Sequence, residues 1–156
     1  MTLQVSTGLK KLFMAPFVRA FSGGAIAVYG GARPATADVA APTAPLAWIT
    51  HNGYPWVPGS LGAGLGFLQD GPLVVNDPAQ EWLCAPITAG TATWWRLFSA
   101  SPAENFATNY DLARVDGDVG TIGTGSPAEL QIHNTGLLVG QVVPVTYFLY
   151  TVPPIL

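Results

Sequence analysis

Two periodicities divide this chain. Over TGLKKLFMAPFVRAFSGG, residues 7–24, Leu9, Leu12, Phe13, Phe17, Ala20 and Phe21 recur at the 3.6-residue spacing of a helix. Thr7 is placed to cap its start, and Gly23-Gly24 to end it. Pro16 stands in the middle, where it removes a backbone donor and its ring crowds the preceding turn, so a kink or a split is expected there. Beyond Gly24 the period drops to two. AIAVYG (25–30), LAWIT (46–50), TATWWRLF (91–98), DLARV (111–115), AELQIH (128–133) and QVVPVTYFLYTV (141–152) read as strands, separated by Gly, Pro, Asn and Asp clusters. The pattern predicts an all-β protein, a β-sandwich or jelly-roll-like domain over residues 25–156 with one N-terminal α-helix. Residues 1–24 are expected to pack on that domain, because Gly23-Gly24 leaves only a short connection to the first strand.

Two stretches fit neither period. GARPATADVAAPTAP (31–45) reads as an extended loop, each proline biasing its predecessor away from helix. Residues 51–90 read as a long insert whose glycines and prolines prevent regular structure, while Tyr54, Trp56, Phe67 and Trp82 supply apolar mass. Asp77 and Glu81 are expected to begin a short helical turn after Pro78. Asp116-Gly117, between two β-like runs, predicts a hairpin turn, and Pro144 predicts an edge strand or a bulge.

The strand TATWWRLF raises a packing problem, since successive side chains point to opposite faces. Thr93, Trp95 and Leu97 share one face; Ala92, Trp94, Arg96 and Phe98 share the other. If Trp95 enters the core, Trp94 needs cover from the helix stripe, from the aromatic insert or from a neighbouring subunit. The last strand makes the same demand, with Val143, Val145, Tyr147 and Leu149 alternating with Val142, Pro144, Thr146, Phe148 and Tyr150. Trp94, Trp56, Tyr54, Phe148 and Tyr150 are therefore the candidate protein-interface residues.

Composition sharpens this picture. Charged residues are 10% of the chain, against an average of about 25%, while hydrophobic residues reach 49%. A free monomer with so few surface charges is poorly protected against association, so a homo-oligomer or a subunit of a larger assembly is expected. A net charge of −3 with only 6 Lys and Arg argues against nucleic acid as a partner. Lys10, Lys11 and Arg19 read as a solvated helix face. No run approaches the roughly 18 apolar residues of a membrane span, and no membrane partner is expected. Lys10 and Lys11 precede an apolar stretch and Ala35-Thr36-Ala37 mimics a cleavage site, but Pro16, Arg19 and Gly23-Gly24 interrupt the region a signal peptide would need.

Little in the sequence suggests chemistry. His51 and His133 are far apart in sequence and lack a carboxylate pattern, so they read as loop-capping or surface residues. Cys84, between Leu83 and Ala85, reads as a buried, inert thiol. GSLGAGLG (59–66) lacks the Lys and Ser/Thr of a phosphate loop. Asp116-Gly117-Asp118 has too few oxygen ligands nearby for calcium. No catalytic residue, metal ligand or cofactor is assigned, and the chain is expected not to be an enzyme.

GGAIAVYGGARPATADVAAP (23–42) resembles the opening of a family of small virion proteins of tailed bacteriophages: a glycine, a strand ending in Tyr, a small turn, then Arg/Gln-Pro-Ala-x-Ala-Asp. AGTATWWRLFS (89–99) and VDGDVGTIGTGSPAELQIHNTGLLVGQVVPVTYFLYTVP (115–153) resemble the same family's C-terminal half, with an Ala-Thr-Trp-aromatic-Arg strand, an Asp-Gly-x-Val-Gly hairpin and a final Gly-x-x-Val-x-Val strand. The segment 51–90 departs from the compact members. The resemblance implies a virion structural protein made in the host cytoplasm, with a capsid decoration or cement protein as the leading expectation and the major capsid protein or other virion proteins as partners. A tail or neck component of the virion is the alternative. A host-glycan-binding module, suggested by Tyr54, Trp56 and Trp82, is the third reading.

Overall fold

A computed structural model describes residues 4–60 and 62–151. It is all-β with one N-terminal helix, α1 (Thr7–Phe21), followed by β1 (Ala25–Tyr29), β2 (Ala47–His51), β3 (Phe67–Asp70), β4 (Leu73–Asn76), β5 (Trp82–Pro86), β6 (Gly90–Thr91), β7 (Trp94–Phe98), β8 (Arg114–Thr121), β9 (Leu130–Ile132), β10 (Gly136–Leu137), β11 (Val143–Pro144) and β12 (Tyr147–Thr151). Ten strands form one sheet in the order β11-β5-β2-β1-β7-β8-β9-β12-β4-β3; β6 and β10 pair separately. Only Val145 and Thr146 lie between β11 and β12, so the sheet has to curl until its β11 edge comes round beside β12. The result is a half-barrel whose inner face packs against itself much as the two sheets of a sandwich do.

The inner face holds the main core. Ile26, Val28, Ile49, Cys84, Trp95, Leu97, Leu130, Ile132 and Phe148 meet there. Trp82, Phe67 and Phe148 pack edge-on or tilted at 5.2–5.7 Å. The open side of the curl is closed by α1 through Met14, Phe17 and Phe21. Phe17 stacks on Tyr150 at 4.2 Å and meets Phe67 edge-on at 5.9 Å.

Several expectations are corrected in detail. The helix is capped by Ser6, whose hydroxyl accepts from the Leu9 amide at 3.2 Å, rather than by Thr7, and it runs unbroken through Pro16. Pro16 deprives the Leu12 carbonyl of its helical partner, and Leu12 lies where water can replace it. Of the expected stripe only Phe17 and Phe21 are buried; Leu9, Leu12 and Phe13 are exposed, and Met14 takes their place in the core. The insert 51–90 is not irregular but carries β3, β4 and β5. Residues 77–80 form a single turn, not a helix, in which Asp77 accepts from the Ala79 and Gln80 amides. The last predicted strand is divided: β11 is an edge strand ending at Pro144, as a proline requires, and β12 lies inside the sheet. Val152, its final residue, lies outside the described residues.

The Asp116-Gly117 hairpin is also corrected, because both residues lie inside β8 opposite β7. The physical reason is the Trp95 indole. A Cβ on Gly117 would stand 2.4 Å from the Trp95 ring, so only glycine lets that ring cross the strand and donate from Nε1 to the Asp118 carbonyl at 3.0 Å. The other Asp-Gly pair, Asp70-Gly71, is the one that turns a hairpin. There Gly71 (φ 60°) and Pro72 join β3 to β4 in a two-residue loop.

Candidate interaction surface

On the outer face of the sheet, β7 presents Trp94, Arg96 and Phe98, and β1 presents Ala27 and Tyr29. Trp94 stacks on Tyr29 at 4.2 Å, and the Arg96 guanidinium lies 5.5 Å from the Trp94 ring centre. Arg96 is fully buried. It donates to both Asp116 carboxylate oxygens at 2.6 and 2.8 Å, and to the carbonyls of Val39 and Thr36 at 2.6 and 3.5 Å. Those carbonyls belong to the loop of residues 30–46, which is thereby drawn over the outer face.

A second loop, residues 99–113, completes the cover. Its buried Glu104 accepts from Arg114 Nε at 3.0 Å and pairs with the same guanidinium a second time. Arg114 in turn lies 5.6 Å from the Phe98 ring centre. The two loops are tied to each other where Thr108 Oγ1 accepts from the Ala40 amide and the Asp38 carbonyl accepts from the Asn109 amide, both at 2.9 Å. A buried charge pair is tolerated only when its remaining donors are also satisfied, which the loop carbonyls do here. Neither pair was visible in the sequence.

The cover ends at Trp48, which is half-buried and meets Trp56, Phe98 and Phe106 at 5.8–5.9 Å. Two clefts of about 300 Å³ flank its ring. One is lined by Tyr29, Ala41, Pro45 and Phe106. The other is lined by Tyr54, Trp56, Ala85 and Ile87. Tyr54, Val57, Ile87 and Phe106 are all exposed, so this side of the molecule presents apolar surface to whatever lies beside it.

The five predicted interface residues do not share one surface. Trp94 is corrected: it is 1% exposed, covered by its own chain, and its Nε1 meets no acceptor among the described residues. Phe148 is corrected likewise, at 2% exposure in the inner core beside Trp95 at 5.5 Å. Tyr150 is half-buried against Phe17 on the inner side, where burial raises its phenol above the ordinary value. Trp56 is half-buried and donates from Nε1 to the Gly23 carbonyl at 2.9 Å. Tyr54, 58% exposed, remains beside it at the cleft. Sequence reasoning missed Trp48 and Ile87. The alternation in LAWIT, which sets Trp48 opposite to Ile49, was the available signal for the first.

Cys84 is buried, and desolvation pushes its thiol up to about 12, far from a nucleophile's range. His51 contacts Asn52 at 3.2 Å, and His133 is exposed. Among the described residues no group of three or more His, Cys, Asp or Glu is placed to hold a metal ion, and no helix is long and apolar enough to cross a membrane. Comparison of the chain with protein-family models, with curated proteins and with solved structures finds no match.

Proposed function

We propose that this chain is a structural protein of the tailed-bacteriophage virion, and within that class a capsid decoration protein that binds over junctions of the major capsid protein. One observation carries the reading beyond the sequence resemblance. A folded chain that satisfies its strongest internal ion pairs and buries both indoles of β7 still exposes Tyr54, Val57, Ile87 and Phe106 around two apolar clefts. Such a surface gains by burial against a neighbour, and specificity then comes from shape and backbone contacts more than from salt bridges. The glycan-binding reading draws less support. Trp56 has its N–H committed to Gly23 and its ring against Trp48, which leaves Tyr54 as the free ring at that cleft.

Quantitative mass spectrometry of purified particles tests the proposal. A decoration protein is expected at a copy number comparable to that of the major capsid protein, on the order of hundreds. About six or twelve copies would assign it instead to the tail or neck, whose symmetry is low. Absence from mature particles would reject the virion reading altogether.

A further inference from the structure

We propose that the N-terminal half of α1, residues 7–13, docks on a second copy of this chain, in the cleft beside Trp48, Tyr54, Trp56 and Ile87. The inference stands independently of the virion assignment. Every residue from Thr7 to Phe13 is exposed, and burial on the parent domain begins only at Met14. Leu9, Leu12 and Phe13 nevertheless fall on one side at i, i+3 and i+4, the spacing with which an amphipathic helix enters an apolar groove.

Charge selects the occupant. Of the 6 basic residues, Arg33, Arg96 and Arg114 are paired with Asp118, Asp116 and Glu104. Lys10, Lys11 and Arg19 have no ion pair among the described residues, and all three lie on α1, which carries no carboxylate. All 9 carboxylates lie on the rest of the chain, so helix and domain have opposite sign. The Tyr54–Ile87 cleft has an apolar floor with exposed Glu81 next to its rim: the Glu81 carbonyl accepts from the Asn52 amide at 2.8 Å, and Gly53 lines the cleft. A cationic helix with an apolar stripe matches this surface in both respects.

The contact has to be between copies. Trp56 holds the Gly23 carbonyl, so the C-terminal end of α1 lies by the cleft. At 1.5 Å per residue Lys10 is then about 20 Å away along the helix, and a helix anchored by Phe17 and Phe21 cannot reverse to reach it. Because helix and cleft lie on different parts of one chain, the contact either closes as a two-fold pair in which each helix enters the other copy's cleft or propagates head to tail into rings or filaments.

Sedimentation velocity on the full chain tests this with three samples. The wild-type chain is expected to self-associate reversibly. Lys10→Glu/Lys11→Glu and, separately, Glu81→Lys should each weaken association by roughly tenfold or more, since each sets like charges against each other. Mixing the two variants should restore it, because the wild-type helix of one meets the wild-type cleft of the other. All three positions are exposed, so both variants should melt as the wild type does; Leu12→Ser, at a side chain 70% exposed, gives an uncharged second variant that should also weaken association. A wild-type chain that stays monomeric at high concentration, or charge variants that associate as the wild type does, would overturn the inference. So would a monomer whose Lys10 and Lys11 are needed instead for binding phosphatidylglycerol vesicles.

Discussion

Trp94 and Trp95 stand side by side on β7 and are each 1% exposed, one in the outer layer with Tyr29 and Arg96, the other in the inner core over Gly117. Both are therefore internal to a single chain. Trp94→Ala and Trp95→Ala should each cost about 3 to 5 kcal/mol, with denaturant titration showing comparable losses. A Trp94→Ala protein as stable as wild type would mean that its loop cover is not formed. Tyr29 gives a pH signature on the same layer. Burial, only partly offset by Arg96, raises its phenol to about 12. The unfolded chain releases that proton near pH 10 and the folded one near 12. Its contribution is thus fully present below about pH 10 and is lost as pH rises through about 12. Denaturation midpoints should fall across that window, with the Tyr29 phenolate appearing together with unfolding. Ionisation of Tyr29 near pH 10 in a protein that is still folded would contradict its burial. The alternation in TATWWRLF was enough to separate the two indoles, but not to say what covers Trp94. That cover depends on Arg96 finding Asp116 20 residues away and two loop carbonyls near position 38, pairings that only the folded sheet creates.

At the scale of elements, α1 behaves as two halves. Met14, Phe17 and Phe21 close the half-barrel, and each such side chain contributes roughly 1.5 to 3 kcal/mol by leaving water. Residues 7–13 contribute no buried side chain. Removing residues 1–13 should accordingly leave a folded domain, in which Pro16 falls within the first helical turn, where its missing N–H costs little. Removing residues 1–22 should unfold it, as circular dichroism and thermal melts would show. Equal stability of the two truncations would mean that α1 is dispensable for closure. The sequence revealed this helix and the strands β1, β2, β7 and β9 because their apolar periods are bounded by clear turn signals. It hid β3, β4 and β5, which are no shorter than β9 but lie among the glycines and prolines of residues 51–90. Of two similar Asp-Gly signals, Asp70-Gly71 makes the hairpin and Asp116-Gly117 does not, since the deciding contact is a tryptophan from another strand.

The whole molecule is a half-barrel covered twice: by a helix on its inner side and by two loops, locked by buried Arg–carboxylate pairs, on its outer side. Two of its 6 basic residues are taken up in buried pairs, the surface is apolar around Trp48 and along residues 9–13, and the basic residues without an ion pair among the described residues lie on α1. The overall class was readable from alternation and composition. The interaction surface was readable only in part, through Tyr54 and Trp56, because Trp48, Phe106 and Ile87 come together from three separate segments. A chain built in this way is suited to lying against neighbours. Reconstruction of the purified virion by electron cryomicroscopy tests that claim most directly. Density for the half-barrel should lie repeatedly over the junctions of the capsid shell, with the Trp48 clefts or the exposed face of residues 7–13 covered by an adjoining protein. A well-resolved particle with no such density, on shell or tail, would contradict it.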